Sequence, residues 1–92
     1  MQHLRVEIDS DVEAAAIYFS EGFTEKMYSF GEDINVDLTS DDHILVVEIL
    51  NFQKLDYREV ELRALTEAPA RVIEAVIQAQ SALAESLALR NV

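Results

Sequence analysis

Near the start of the chain, apolar side chains occupy every second position. Residues 4–9 alternate apolar with charged side chains, a period of two that is typical of a half-buried strand. Four further strands are predicted at residues 14–20, 24–30, 34–38 and 43–50, separated by turn residues. Residues 34–38 alternate in the same way. The alanines of residues 14–20 would also suit a helix, but Ile17, Tyr18 and Phe19 favour a strand. The last segment is the most hydrophobic and suits a central strand. The pattern therefore predicts four to five antiparallel strands, with the third returning beside the second.

The pattern changes to a helical period in the C-terminal third. Pro69 suits a first helical turn, and no breaker follows before Leu89, so a helix is predicted over residues 66–90. Residues 53–65 fit neither period and are predicted to form a connector or a short helix. The predicted apolar stripe of the helix comprises Val72, Ile73, Val76, Ile77, Leu83, Ala84 and Leu87.

These elements predict a single α+β domain over residues 1–92. An antiparallel β-meander at residues 1–52 needs a second layer to cover one of its faces, and the long C-terminal amphipathic helix supplies that layer. A chain of this length buries only about 60 to 65% of its unfolded surface. A partner subunit would therefore add to its stability.

Charge is distributed unevenly along the chain. The 18 acidic and 7 basic residues give a net charge of −11. Residues 1–50 contribute 12 acids and 2 bases, net −10, whereas residues 51–92 contribute 6 acids and 5 bases, net −1. Direct binding to nucleic acid relies on lysine and arginine, so it is not expected. A basic protein or a cation could be attracted to the N-terminal half. Acidic faces that keep a small protein soluble are the favoured interpretation.

The absence of cysteine excludes disulfides and thiolate metal sites. The N-terminus has no continuous apolar segment of the kind found in signal peptides. The longest apolar run, Ile44 to Val47, is far shorter than the about 20 residues of a membrane-spanning helix. We therefore expect a cytoplasmic protein without a membrane span.

The strand segments also follow a known order of motifs. Residues 6–13 read Val-Glu-Ile-Asp-Ser-Asp-Val-Glu, and residues 14–22 read Ala-Ala-Ala-Ile-Tyr-Phe-Ser-Glu-Gly. Residues 34–38 read Ile-Asn-Val-Asp-Leu, and residues 47–51 read Val-Glu-Ile-Leu-Asn. This succession resembles the small prokaryotic proteins of domain of unknown function family 2283, over a little more than half of the chain. The resemblance implies a β-meander and brings no established activity.

The sequence departs from that family at three positions. Ala16 stands where the family often has tyrosine, and Asp42 and Val46 stand where glycine is common. The predicted helix after residue 65 has no counterpart in the shorter family members.

The first acidic group alternates along the chain. Asp9, Asp11 and Glu13 could converge on a hard cation. A calcium loop of the EF-hand type would also require glycine at Ala14 and an acid at Ser20, and neither is present. Turn-forming, solvated acids are the favoured interpretation, and no metal or other cofactor is predicted.

A second acidic group offers an enzymatic alternative. Asp37 and Glu48 could approach each other across paired strands near His43, as general acid and base chemistry requires. The sequence has no nucleophile motif and no glycine-rich phosphate loop. A small metal- or ligand-dependent enzyme using these three residues is therefore kept as an alternative, and no catalytic residue is predicted.

The leading hypothesis is a non-catalytic protein-interaction module that self-associates, most simply as a homodimer. Self-association could use the helix or a sheet edge. On the helix, a ridge of small residues beside the apolar stripe could let a second helix approach, and Gln80 could fix the register. Alanine is also simply a good helix former, and Gln80 could lie at a wet rim. The ridge comprises Ala75, Ala79, Ala82 and Ser86. An acidic, antitoxin-like regulator of a basic partner protein is the other alternative. The predicted interface comprises Val72, Ala75, Val76, Ala79, Gln80, Ala82, Leu83, Ser86 and Leu87.

Overall fold

The computed structural model describes residues 4–30, 33–53 and 68–90. The strands are β1 (Arg5–Asp9), β2 (Ala14–Tyr18), β3 (Lys26–Phe30), β4 (Ile34–Leu38) and β5 (Ile44–Ile49), and the helix is α1 (Ala70–Arg90). The predicted fold class, an antiparallel sheet packed against a long C-terminal helix, is confirmed. Apart from Gln53, the predicted connector at residues 53–65 lies outside the described residues.

The five strands form one antiparallel sheet in the order β1-β2-β5-β4-β3. The central position predicted for the most hydrophobic strand is confirmed, since β5 pairs with both β2 and β4. The prediction that the third strand lies beside the second was wrong, because β5 occupies that place and β3 forms the far edge. After β2, the amides of Phe19 and Ser20 donate to the Leu45 carbonyl at 2.8 and 3.3 Å, so β5 pairs along the extension of β2 as well.

One face of the sheet and one face of α1 form the core. Alternation along the strands directs Ile17, Val36 and Val47 into it, each of them fully buried. From the helix, the core residues are Val72, Ala75, Val76, Ala79 and Leu83.

The predicted stripe of α1 needs a correction. Ile77 is 45% exposed and Ala84 is exposed, whereas Ala75 and Ala79 are buried. The small side chains of Ala75 and Ala79 pack inside the chain, so half of the ridge assigned to a second helix belongs to the core, while Ala82 and Ser86 stay partly exposed. The helix is therefore rotated toward its alanines relative to the prediction.

The helix also bears on the prediction that the chain has no membrane span. By length and composition alone, Ala70–Leu89 is long and apolar enough to cross a membrane. It contains no long uninterrupted apolar run, because polar residues interrupt its apolar ones. In the structure its apolar face packs on the sheet, and core helices of globular proteins pass the same test of length and composition.

The turn before β5 connects the sheet edge to the helix. Asp42 has a φ of 64°, a left-handed conformation that aspartate tolerates better than most residues and that glycine favours. Its carbonyl accepts a hydrogen bond from Arg71 Nη1 at 2.9 Å, and its Oδ1 accepts one from Lys26 Nζ at 2.8 Å. This hydrogen bond and the charge of Lys26 lower the pKa of the Asp42 carboxyl, and Asp42 raises the pKa of Lys26.

Candidate functional site

The sheet has a second face that no described helix or strand covers. We call it the open face. Its side chains come from the strand positions that alternate with the core positions, and they are partly or largely exposed. The open face comprises Arg5, Glu7, Asp9, Ala14, Ala16, Tyr18, Met27, Ser29, Asn35, Asp37, Val46 and Glu48.

Strand pairing arranges most of these side chains in two rows across the sheet. The first row runs through Met27, Asp37, Val46, Tyr18 and Arg5, because each residue pairs with the next. It combines apolar and aromatic surface with one charge of each sign.

The second row has more carboxylates than the first and has no aromatic side chain. It runs through Ser29, Asn35, Glu48, Ala16 and Glu7 in the same way. Together with Asp9 at the end of β1, the open face carries four carboxylates and one guanidinium, and is therefore strongly acidic.

A shallow hollow lies where the two alanines of β2 leave space. Ala14 and Ala16 have no side chain beyond Cβ, and the taller Glu7, Tyr18 and Glu48 stand around them. The hollow has a volume of about 380 Å³. It is lined by Glu7, Ile8, Asp9, Ala14, Ala15, Ala16, Tyr18, Glu48 and Leu50. An apolar floor with acidic walls suits the aliphatic stem and cationic head of a lysine or arginine side chain.

Glu7 is held in place by its neighbours. Its Oε2 accepts a hydrogen bond from the Tyr18 hydroxyl at 3.2 Å, and its Oε1 lies 3.2 Å from Arg5 Nη1. Arg5 Cζ lies 4.1 Å from the centroid of the Tyr18 ring, a cation–π contact. Burial of the Tyr18 hydroxyl and the charge of Glu7 raise the pKa of that hydroxyl above its ordinary value. The open face thus already holds one guanidinium, from its own chain.

Asp37 is the least satisfied polar residue of the open face. Its Oδ1 is buried and has no hydrogen-bond partner. Its cross-strand neighbours are Met27 and Val46, which offer no donor from their side chains. A buried oxygen without a donor costs about 1 to 3 kcal/mol of stability. Asp37 Oδ1 therefore contributes no stabilising hydrogen bond to the described fold.

This missing hydrogen bond predicts the effect of removing the Asp37 carboxylate. Asp37→Val is expected to raise the free energy of unfolding by about 1 to 3 kcal/mol, because it deletes the unsatisfied oxygen and adds a good strand former. Urea denaturation measures this. Asp37→Asn keeps polar atoms in place and is expected to gain less, while a loss of stability in Asp37→Val would contradict the cost assigned to that oxygen.

The residues of the enzymatic alternative are not gathered into a metal site. Asp37 and Glu48 share the open face but pair with Val46 and Asn35, so they are diagonal neighbours. His43 is exposed in the turn before β5, and its backbone amide donates to Thr39 Oγ1 at 3.1 Å. Among the described residues, no three His, Cys, Asp or Glu side chains form a group that could hold a metal ion. That alternative gains no geometric support.

The first acidic group forms a turn, as the favoured interpretation predicted. The Asp11 amide donates to Asp9 Oδ1 at 3.1 Å, which is an Asx-type turn contact. Glu13 has a φ of 53°, and its carbonyl accepts a hydrogen bond from the Phe52 amide at 3.0 Å. These contacts join the β1–β2 turn to the end of β5.

The structure divides the interface predicted on the helix. Five of its residues are buried in the core of the chain itself and could meet a partner only if the helix left the sheet. They are Val72, Ala75, Val76, Ala79 and Leu83. Gln80, Ala82, Ser86 and Leu87 are partly exposed. The interface at these four residues stays a prediction.

A groove of about 460 Å³ lies beside the partly exposed residues of the helix. Gln80 Nε2 is buried there without a hydrogen-bond partner. The groove borders Gln53, the last residue described before Ala68, so no binding role is assigned to it. Its described lining is Phe52, Gln53, Gln80, Ser81, Leu83, Ala84 and Leu87.

Sequence reasoning missed the alanine-floored hollow. The period-two pattern of β1 placed Glu7 on its polar face, which was the available signal. The position of Glu48 beside Ala16 follows only from the pairing of β2 with β5. That pairing was not among the predicted strand neighbours.

Comparison with known proteins agrees with the boundaries of the sheet. A family model described as Protein of unknown function (DUF2283) matches residues 5–53, which is more than half of the chain and includes all five strands. The helix lies outside this match. No curated protein and no solved structure matches the chain significantly.

Proposed function

The chain belongs to the DUF2283 family of proteins of unknown function, and we propose that it is a non-catalytic protein-interaction module that binds a basic partner protein through its open face. The observation that carries this proposal is the acidic hollow over Ala14 and Ala16. It combines an apolar floor with the carboxylates of Glu7, Asp9 and Glu48.

The charge of the open face selects among possible partners. Four carboxylates against the single guanidinium of Arg5, which already contacts Glu7, would repel the phosphates of a nucleic acid. They would also repel the open face of a second copy. A segment rich in lysine or arginine would be attracted and oriented by the same charges.

The open face offers more than charge. Val46, Met27 and the ring of Tyr18 provide apolar area beside the carboxylates. Protein interfaces commonly combine apolar contacts with a few charged anchors. A regulator that neutralises a basic partner in the cytoplasm, in the manner of an antitoxin, is one form that this binding would take.

A direct test measures affinity for a defined basic peptide. The probe is a synthetic peptide in which arginine alternates with valine, titrated into the protein by calorimetry at physiological salt. The double variant Glu7→Gln with Glu48→Gln removes two charges beside the hollow and keeps side-chain size. We expect it to weaken binding by about tenfold or more, since every 1.4 kcal/mol corresponds to about tenfold.

The matched control removes the same charge from the other layer of the molecule. Glu74 and Glu85 are exposed on α1, and the double variant Glu74→Gln with Glu85→Gln is expected to bind as the unmodified protein does. Equal losses in both double variants would mean that net charge alone attracts the peptide. No binding by the unmodified protein would contradict the proposal.

A further inference from the structure

The edge of the sheet at β1 is incompletely closed. β1 pairs with β2 on one side only, and no described residue pairs with its other side. On the helix side of this edge, Val6, Ile8, Ser86 and Leu89 line a hollow of about 410 Å³. Leu89 is 69% exposed, and Val6 and Ile8 are only partly buried. Apolar surface therefore lies beside a free strand edge.

We propose that this edge joins two copies of the chain, with β1 of one copy antiparallel to β1 of the other and Val6 opposite the second copy's Val6. Such a contact is self-complementary, as a two-fold symmetric dimer requires. It continues the sheet across the dimer and satisfies backbone groups that the edge leaves unpaired.

Charge selects the register of this pairing. Centred on Val6, the pairing places Arg5 opposite the second copy's Glu7 twice, and Leu4 opposite the second copy's Ile8 twice. Centring on Glu7 or on Arg5 would place identical charges opposite each other, which is destabilising. A shift by one residue would turn the apolar residues toward the open face of the other copy. The register centred on Val6 thus matches both charge and hydrophobicity.

The same pairing covers the hollow beside the edge. Because the paired strands share a face, Leu4 and Val6 of the second copy reach the side of the sheet where Val6, Ile8 and Leu89 line the hollow. A basic peptide would not do this as well, since the carboxylates that attract it lie on the open face. A second copy is therefore the occupant that this edge favours.

The dimer enlarges the open face without covering it. Five strands of about five residues present roughly 400 Å² of flat area, from strand spacings of about 4.8 Å and rises of about 3.3 Å per residue. Two joined sheets present about twice that area, close to the about 800 Å² per partner of a standard interface. The dimer does not depend on the proposed partner, but it would provide a larger surface for it.

Charge reversal tests the register in the complete chain. The unmodified protein, of 10.4 kDa, is expected to show twice that mass by light scattering. Arg5→Glu and Glu7→Arg should each weaken the dimer by about tenfold or more, since either change creates two like-charge pairs. An equimolar mixture of the two variants should restore a dimer, because every cross-strand pair is then of opposite charge. A monomeric unmodified protein, or a mixture that stays monomeric, would overturn the proposal.

Cysteine cross-linking tests the symmetry independently. The chain has no cysteine, so Val6→Cys introduces one thiol per copy. Opposite residues in an antiparallel pair have Cα atoms about 4.5 to 5.5 Å apart, within the range of a disulfide. Mild oxidation should link Val6→Cys into a covalent dimer and leave Ser29→Cys, at the β3 edge, unlinked. Linking through Ser29→Cys alone, or through neither cysteine, would overturn the proposed edge.

Discussion

Leu83→Ala is expected to lower the free energy of unfolding by about 2 to 5 kcal/mol, because it leaves a cavity where the helix meets the sheet. Leu83 is 1% exposed and belongs to the core cluster with Val76 and Ala79. Urea denaturation followed by circular dichroism measures the loss. An effect of this size is a large fraction of the stability of a small domain.

The matched control is Ile77→Ala on the same helix. Leucine and isoleucine lose the same number of carbon atoms on conversion to alanine, but Ile77 is 45% exposed. Its substitution is expected to cost less than about 1 kcal/mol. A larger loss from Ile77→Ala than from Leu83→Ala would mean that the helix docks through the stripe predicted from the sequence, with Ile77 toward the sheet.

Gly22→Ala is expected to lower the free energy of unfolding by about 1 to 3 kcal/mol. Gly22 has a φ of 154°, a backbone conformation that side-chain-bearing residues rarely adopt. An added Cβ would lie 3.1 Å from Leu45 Cδ2 and 3.2 Å from Thr39 Cγ2. Because Leu45 is buried beneath this loop, it has little room to move. Thermal and urea denaturation both report the change.

Glu21→Ala is the control for this loop. Glu21 precedes Gly22, is exposed, and lies outside the residues with positive φ. It is expected to change stability by no more than about 0.5 kcal/mol. If Gly22→Ala were as mild as Glu21→Ala, the loop would not need glycine, and its contact with Leu45 would be looser than described.

The strands themselves were predictable from local signals. β1 and β4 alternate with period two, β2 and β3 contain aromatic side chains typical of strands, and β5 is continuously apolar over its first four residues. In β4, the alternation of Ile34, Val36 and Leu38 with polar residues indicated its buried face, and all three are buried. Strand order was less accessible. Short turns bring β3 beside β4 and β4 beside β5. The link between β2 and β3 over residues 19–25 is longer, so it does not determine which strand lies beside β2.

The rotation of the helix was only partly predictable. Hydrophobicity alone favours Ile77 over Ala75 and Ala79 at a core position, and the structure reverses this choice. Close packing of a helix on a sheet favours small residues where the two backbones come nearest. Which helix residues these are depends on the sheet against which the helix packs. A pattern confined to one helix cannot contain this information.

The candidate site follows from long-range pairing. Glu7 and Glu48 are far apart in the sequence and come to opposite sides of Ala16 because β2 lies between β1 and β5. The acidic character of the N-terminal half was evident from composition. Its concentration around an alanine floor required the strand order.

The open face, rather than the helix, is the surface that we propose meets a basic partner. The most direct measurement is a titration of ¹⁵N-labelled protein with the arginine–valine peptide, followed by amide chemical shifts. We predict the largest changes at Glu7, Ala16 and Glu48, with little change at Glu74 and Glu85 on the exposed side of α1. Changes concentrated on α1, or no changes at saturating peptide, would contradict the account.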